Sequence, residues 1–326
     1  MTDPYFKYAI DKVSYNNQLY FTRRQLWYEV NRGLWRKRRT NPLKNALIVG
    51  IAALIFIPPP TETKIIGTLI CIALAVLVSL IWNYAFKTAP RHQPKISLDH
   101  FTHSMLSRWN SIQGKPAKLL TKSDKSIAVD PRGDEADLTD YSFDRLVITE
   151  NMDTAVMLLA NRLHLEKKCA VLCAKDLHSD KANIILKMVE HNPQLKVLVV
   201  HDASIEGCGL PARLRQEPWF HEDLVELIDL GLRPNQVRKL RMFTNKMLAA
   251  QILAEDAQIE HLSPEETDWL KQGYSAELEA LRSRRLLRSI SHGFVLAEEA
   301  DLAKEMEDDD WEFDFGEGVI WIESFG

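Results

Sequence analysis

Two carboxylates stand where this chain could do chemistry. Glu150 closes the run Arg-Leu-Val-Ile-Thr-Glu, and Asp202 follows Leu-Lys-Val-Leu-Val-Val-His. Both runs are short and apolar, as expected of buried strands, so each acid falls at a strand's carboxyl end. In open α/β sheets ligands bind beyond those ends. Neighbouring strands lie ~4.8 Å apart, so the two carboxylates could converge on one hard cation such as Mg²⁺. Acids also end strands as plain turn and cap residues, and position alone favours that structural role.

The elements that must hold these acids read as alternating strands and helices from residue 141 onward. Strands are expected at 145–150, 170–174 and 195–200, with a fourth at 225–230. Helices are expected at 152–165 and 179–191. Strands joined by helices imply right-handed βαβ crossovers and a parallel sheet, an α/β domain over residues 141–235. Residues 236–293 read as a mainly helical extension, with helices expected at 236–253 and 264–290 and with Ser263 and Glu266 spaced as a capping box. Residues 87–140 read as a linker with a short helix near 98–109, and residues 294–326 as an acidic tail. Residues 318–322 look like an edge strand or a docking segment. Cys169 and Cys173 share one face of a strand ~13 Å apart, too far for a disulfide or a common metal. They read as reduced core thiols.

Residues 45–61 and 65–86 are two uncharged runs. The second makes a helix of ~33 Å, enough for a hydrocarbon core of ~30 Å. The first is cut short by Pro58, Pro59 and Pro60. With the second it suggests a transmembrane helical hairpin over residues 42–86, and a re-entrant segment is the competing reading. Arg32, Arg36, Lys37, Arg38 and Arg39 precede the hairpin, Lys44 lies at its start, and Lys87, Arg91 and Lys95 follow it. The positive-inside rule then places both flanks, and so the α/β domain, in the cytoplasm of a cell-membrane protein. Residues 1–41 read as a basic amphipathic segment, aromatic toward the interface and cationic toward lipid headgroups. Short hairpin anchors also suit homo-oligomers.

The segment Asp-Ala-Ser-Ile-Glu-Gly at residues 202–207 resembles the Asp-x-Asp segment of the Toprim domain, and Val-Ile-Thr-Glu at 147–150 is similar to that family's acidic strand end. The resemblance covers residues 143–215. It implies a Rossmann-like parallel sheet, Mg²⁺ held by Glu150 and Asp202, and a phosphate-bearing ligand. Asn151, Ser204, Glu206 and Gly207 would complete the shelf. Ser204 stands where the family has its second aspartate, and a serine carries no charge for the metal. A weaker resemblance joins Arg-Gln-Leu-Trp-Tyr at 24–28 to the nucleophile segment of type IIB topoisomerase A subunits and meiotic transesterases. Residues 229–234, 262–266 and 277–281 are also similar to regions after Toprim in those proteins. By that resemblance Tyr28 would be the attacking phenol.

The remaining candidates are less specific. His178 and His201 lie near strand ends, and Arg238, Lys239, Arg241, Arg282, Arg284, Arg285 and Arg288 form basic stretches able to meet phosphate or the acidic tail. There is no Walker loop, dinucleotide-binding glycine motif, zinc-spaced Cys/His set or Ser-His-Asp arrangement. The expected function is therefore a membrane-anchored Toprim-like module that binds nucleic acid or a nucleotide with little or no catalysis. The alternatives are an active Mg²⁺-dependent nuclease or transesterase, and a membrane scaffold for a partner protein.

Overall fold

The structure, a computed structural model, describes residues 3–36, 73, 77, 93–121, 145–179, 187, 189, 192, 195–221, 224–246, 262–307 and 320–321. The chain divides into a compact unit of Met1–Val30 with Arg91–Gly326, and a second unit of Asn31–Pro90. The sheet and the sites considered below belong to the first unit. The expected hairpin at 42–86 lies outside the described residues, except for Ala73 and Leu77, both helical and exposed. No described helix is long and apolar enough to cross a membrane.

Four parallel strands form the centre: β1 (Arg145–Thr149), β2 (Cys169–Cys173), β3 (Lys196–Val200) and β4 (Glu226–Asp229). Their order is β2-β1-β3-β4, and the short β7 (Ile320–Trp321) adds to β4. The expected strands thus form, each within a residue or two of its expected bounds. Leu146, Ile148, Val197, Val199 and Leu227 point into one core with Phe220 and with Leu210 and Leu214 of α7 (Leu210–Arg215). Val147, Leu198 and Ile228 on the other face are also buried. Burial on both faces explains why these strands are continuous apolar runs and not alternating ones. Strand β1 pairs with β2 on one side and β3 on the other, so the chain reverses its direction of winding there. That reversal opens a crevice at the carboxyl ends of β1 and β3.

Several expected helices are shorter than their sequence pattern. The helix expected at 152–165 is two pieces, α4 (Met152–Ala160) and α5 (Leu163–Glu166), broken where Arg162 takes a left-handed conformation. Beside that break, Asn161 accepts the Tyr20 N–H at 2.8 Å and donates its amide to the Tyr20 carbonyl at 3.0 Å. The helix expected over 236–253 is α8 (Pro234–Leu240), which ends at left-handed Arg241 and gives way to strand β5 (Asn245–Lys246). The helix expected over 264–290 is interrupted as well. Capped by the Ser263–Glu266 box, α9 (Pro264–Lys271) stops at Gly273, whose φ of 84° favours glycine. Strand β6 (Tyr274–Ser275) follows, then a 3-10 turn at Leu278–Ala280, and only then α10 (Ser283–Glu307).

The N-terminal segment differs from its expected place at a lipid interface. Helices α1 (Asp3–Val13) and α2 (Arg23–Arg36) begin the chain, and Leu26, Tyr28 and Val30 of α2 are buried in protein. Trp27 donates its indole N–H to the Ile96 carbonyl at 2.8 Å, and Gln25 donates to the Leu281 carbonyl at 3.2 Å. Arg282 grips Glu29 through two bonds of 2.8 Å. The aromatic and apolar spacing that resembles a membrane-lying helix is core spacing here. In the linker, turns Leu98–His100, Phe101–Leu106 and Ser107–Gln113 run on as α, π and α geometry (together α3), where one short helix was expected.

The Asn161 clamp joins residues far apart in the chain, so its loss should be felt globally. Asn161→Ala is expected to destabilise the fold by roughly 1–3 kcal/mol, because Tyr20 loses both main-chain partners. A urea titration followed by tryptophan fluorescence checks this.

Candidate functional site

The crevice between β1 and β3 contains the two predicted acids, and the structure brings them together. Glu150 Oε2 accepts the backbone N–H of Asp202 at 2.8 Å. The Asp202 carboxylate is itself engaged on both oxygens. Its Oδ1 accepts the Leu278 backbone N–H at 2.7 Å, and its Oδ2 accepts the Asn151 amide at 2.8 Å. The Asp202 carbonyl takes the His201 Nδ1 at 2.7 Å and the Ser204 N–H at 3.0 Å. Every polar atom of Asp202 therefore has a protein partner.

Local sequence explains this arrangement. Ser204 caps the short helix α6 (Ile205–Cys208), its hydroxyl accepting the Gly207 N–H at 2.8 Å. Gly207 packs so closely that a Cβ would lie 2.2 Å from the Asp202 carbonyl oxygen and 2.7 Å from Glu150 Oε2. The turn after β3 thus requires glycine for its space and serine for its hydroxyl. Ala203 pairs with Ala276 across an antiparallel bridge, N–H to carbonyl at 3.0 and 2.9 Å, which brings residues 276–279 over the crevice. Glu206 projects into solvent from this turn.

Behind the shelf lies a buried ion pair. His201 Nδ1 faces a carbonyl, and Nε2 faces the Asp229 carboxylate at 3.0 Å. Neither partner can donate to the ring, so both ring nitrogens must carry protons and the imidazole is cationic. Burial alone would lower the His201 pKa, but the Asp229 carboxylate and the Asp202 carbonyl push it up to about 9. Asp229 also accepts the Gly231 N–H at 2.6 Å. Gly231 leaves room for the ring, since a Cβ there would fall 2.0 Å from His201 Nε2. His201 is thus a structural cation joining β3 to β4.

The electrostatics of the crevice are crowded with acids. Burial pushes the Asp202 pKa well above the usual carboxylate range, with Glu150, Glu277 and Glu279 adding to the rise and the Leu278 N–H opposing it. Burial also raises Glu150, against the Asp202 N–H and His201, which stabilise its charge. Glu279 rises from 4.5 to about 7, chiefly through burial.

Tyr28, the predicted nucleophile, sits next to this segment. It donates its hydroxyl to Glu277 Oε2 at 3.2 Å, and Glu277 in turn is paired with Arg24. The phenol is 1% exposed, and burial followed by Glu277 raises its pKa well above 10. Held as a neutral donor in the core, Tyr28 meets neither requirement of an attacking phenol, which are access to substrate and a lowered pKa. Its place in this structure is to anchor α2 on residues 277–279.

A magnesium ion needs free carboxylate oxygens in octahedral array. The residues at this shelf fit one poorly: each Asp202 carboxylate oxygen already accepts a protein hydrogen bond, and Ser204 spends its hydroxyl on the α6 cap. Among the described residues, no group of three His, Cys, Asp or Glu side chains is placed to hold a metal ion. Cys169, Cys173 and Cys208 are free, buried thiols. His178 meets Glu217 at 3.4 Å on the surface. No protein-family model matches this sequence, and no curated protein matches it.

Sequence reading did not single out Asp229 and Gly231 as partners of His201, nor Thr22 and Arg24 as partners of Glu279 and Glu277. The pairing of Asp229 with a glycine two residues on was the available signal, since that glycine makes way for a bulky neighbour.

Two outcomes follow from these contacts. Asp202→Ala strands the Leu278 N–H and the Asn151 amide, and is expected to cost roughly 2–4 kcal/mol by urea denaturation. The Glu279 proton is held more tightly by the folded chain than by the unfolded one. Stability conferred by this group is complete below pH 4.5 and is lost as pH rises to about 7. Glu279→Gln should flatten the fall in stability across that window, by on the order of 1–3 kcal/mol, in melts recorded from pH 4.5 to 8.

Proposed function

We propose that this chain is a membrane-anchored, Toprim-like module that binds nucleic acid or a nucleotide without cutting it. The observation that carries the reading is that both carboxylate oxygens and the N–H of Asp202 bond to protein at the point where the sheet reverses its winding. The β2-β1-β3-β4 order, and an acid at the end of both β1 and β3, support a Toprim-like origin for the domain. The same acid that would hold a metal in that family instead fastens residues 276–278, so it acts as a joint. Buried, neutral Tyr28 supports the absence of strand transfer.

Phosphate binding then falls to cations, because the shelf itself carries an excess of carboxylates. Much of the basic sequence is already committed. Arg282 is paired with Glu29, Arg233 with Glu266, Arg238 with Glu265, and Arg284 lies over the Tyr15 ring at 3.9 Å. Arg285 and Arg288 are exposed one helical turn apart on α10, with no side-chain partner among the described residues. They are the surface on which a phosphate backbone would be held. Membrane attachment rests on the uncharged runs at 45–61 and 65–86.

Fluorescence anisotropy with a labelled single-stranded 30-mer and its duplex tests this reading. The expected result is salt-sensitive binding whose slope in log Kd against log salt falls by about 2 in Arg285→Ala/Arg288→Ala. No nicking of supercoiled DNA should appear with Mg²⁺. Magnesium-dependent nicking abolished by Glu150→Gln would replace this reading with the nuclease. Absence of binding at low salt, together with a stoichiometric co-purifying protein, would replace it with the scaffold. Deleting residues 42–86 should move the protein from the carbonate-washed membrane fraction to the supernatant.

A further inference from the structure

The arginine row on α10 continues into two exposed aromatic rings. Helix α10 has no acid in its first turn, and Arg284, Arg285 and Arg288 stand in its first two turns. The helix dipole disfavours cations there, so their placement costs stability and calls for another explanation. The Arg284 guanidinium lies over the Tyr15 ring at 3.9 Å. Arg288 is four residues on from Arg284 and three from Arg285, so the three share one side of the helix. Tyr15 therefore borders the surface that carries Arg285 and Arg288.

Tyr15 is held there by a backbone that tyrosine rarely adopts. Tyr15, Asn16 and Asn17 take φ of 51°, 56° and 62°, three left-handed residues in succession. Asparagine tolerates this conformation, but for a bulky side chain it is an outlier that the surroundings must offset. Buried Ser14 does so. Its hydroxyl accepts the Asn17 N–H at 2.9 Å, and its carbonyl accepts the N–H groups of Gln18 and Leu19 at 3.0 and 2.8 Å. This strained turn brings the ring to Arg284 yet leaves it 37% exposed. Tyr8, on α1, is 45% exposed, with the Lys12 ammonium 5.4 Å from its ring centre. Tyr8 also lies within electrostatic reach of Arg282, two residues before Arg284. At 1.5 Å per residue the two tyrosines are ~10 Å apart along the α1 direction. Among the described residues, they are the exposed members of the Phe, Trp and Tyr set.

Cations alone would hold the phosphates of any nucleic acid, duplex included. Exposed rings add a contact that only an unstacked base can use. In a duplex the base faces are closed against one another, whereas in a single strand each is open to stack on an aromatic side chain. A free phosphate or a lipid headgroup has no such face. Rings with cations beside them match a ligand in which flat bases and phosphates alternate. Given that nucleic acid is held at Arg285 and Arg288, as proposed above, we infer that it is single-stranded, with bases stacked on Tyr8 and Tyr15.

Anisotropy on the full chain in phosphatidylcholine nanodiscs tests this, with a labelled dT 30-mer, a 30-base-pair duplex and an abasic deoxyribose-phosphate 30-mer. The dT 30-mer should bind about tenfold tighter or more than either of the others. Tyr8→Leu/Tyr15→Leu should weaken the dT 30-mer about tenfold or more, while leaving duplex affinity and the salt slope unchanged. Arg285→Ala/Arg288→Ala should weaken all three and lower the slope. On the unaltered chain, photocrosslinking of a 5-iodouracil-substituted 30-mer should modify Tyr8 or Tyr15, a readout independent of how any variant folds. Equal binding of the three ligands, a tyrosine variant that binds the dT 30-mer as tightly as the parent, or crosslinks confined to other residues would overturn the stacking and leave the nucleic-acid reading in place. Binding of none of the three would overturn both. Phosphatidylserine vesicles that displace the dT 30-mer at equal phosphate concentration would assign the surface to anionic lipid and overturn it as well.

Discussion

The architecture turns on one side chain that no solvent reaches freely. Asp202 stands two residues beyond the central strand β3, at the start of a turn, and it ties three parts of the chain to one another. Its main-chain N–H is held by Glu150 from β1, one oxygen by Asn151 at the start of α4, and the other by Leu278 from the far end of the sequence. A carboxylate buried this deeply costs free energy unless its lone pairs are met, so each of these contacts is obligatory once the others form. The same constraint explains the acid-rich surroundings. Glu277 and Glu279 arrive because Leu278 must reach Asp202, and Arg24 and Thr22 follow to meet them. Helix α2 is therefore built into the site by charge as much as by packing.

The sheet was legible because its strands are buried on both faces, and that burial writes itself as uninterrupted Val, Leu and Ile. Both acids were legible for the same reason, as the first acidic residues beyond such runs. The helices beyond the sheet were not. Their apolar spacing runs across residues 264–290 without a break, yet Gly273 and the bridge between Ala203 and Ala276 force an extended segment into the middle. A pairing across more than seventy residues leaves no local mark. Helix α2 illustrates the converse difficulty. A helix with aromatic residues on one side and arginines on the other has the same pattern whether it meets lipid or protein. Only the contacts of Gln25, Trp27 and Glu29 distinguish the two.

His201 and Asp229 show how an ion pair can serve geometry in place of reaction. The cation is fully enclosed, and its two ring nitrogens are spent on the Asp202 carbonyl and the Asp229 carboxylate. Buried pairs of this kind add little net stability over apolar residues, but removing one member is severe. Here the pair sets the relative height of the β3 and β4 ends, and through Gly231 it decides how closely the following loop can approach.

The indole of Trp27 and the carbonyl of Ile96 meet at 2.8 Å, although residues 31–90 intervene between them. The chain thus passes out of the first unit after Val30 and rejoins it at Arg91, with the Trp27–Ile96 bond close in sequence to both points. Closing that contact is an intramolecular event whose entropic cost grows only slowly with the length of the intervening circuit. Doubling the circuit would cost about 0.6 kcal/mol, so its length is nearly free to vary while the two points stay joined.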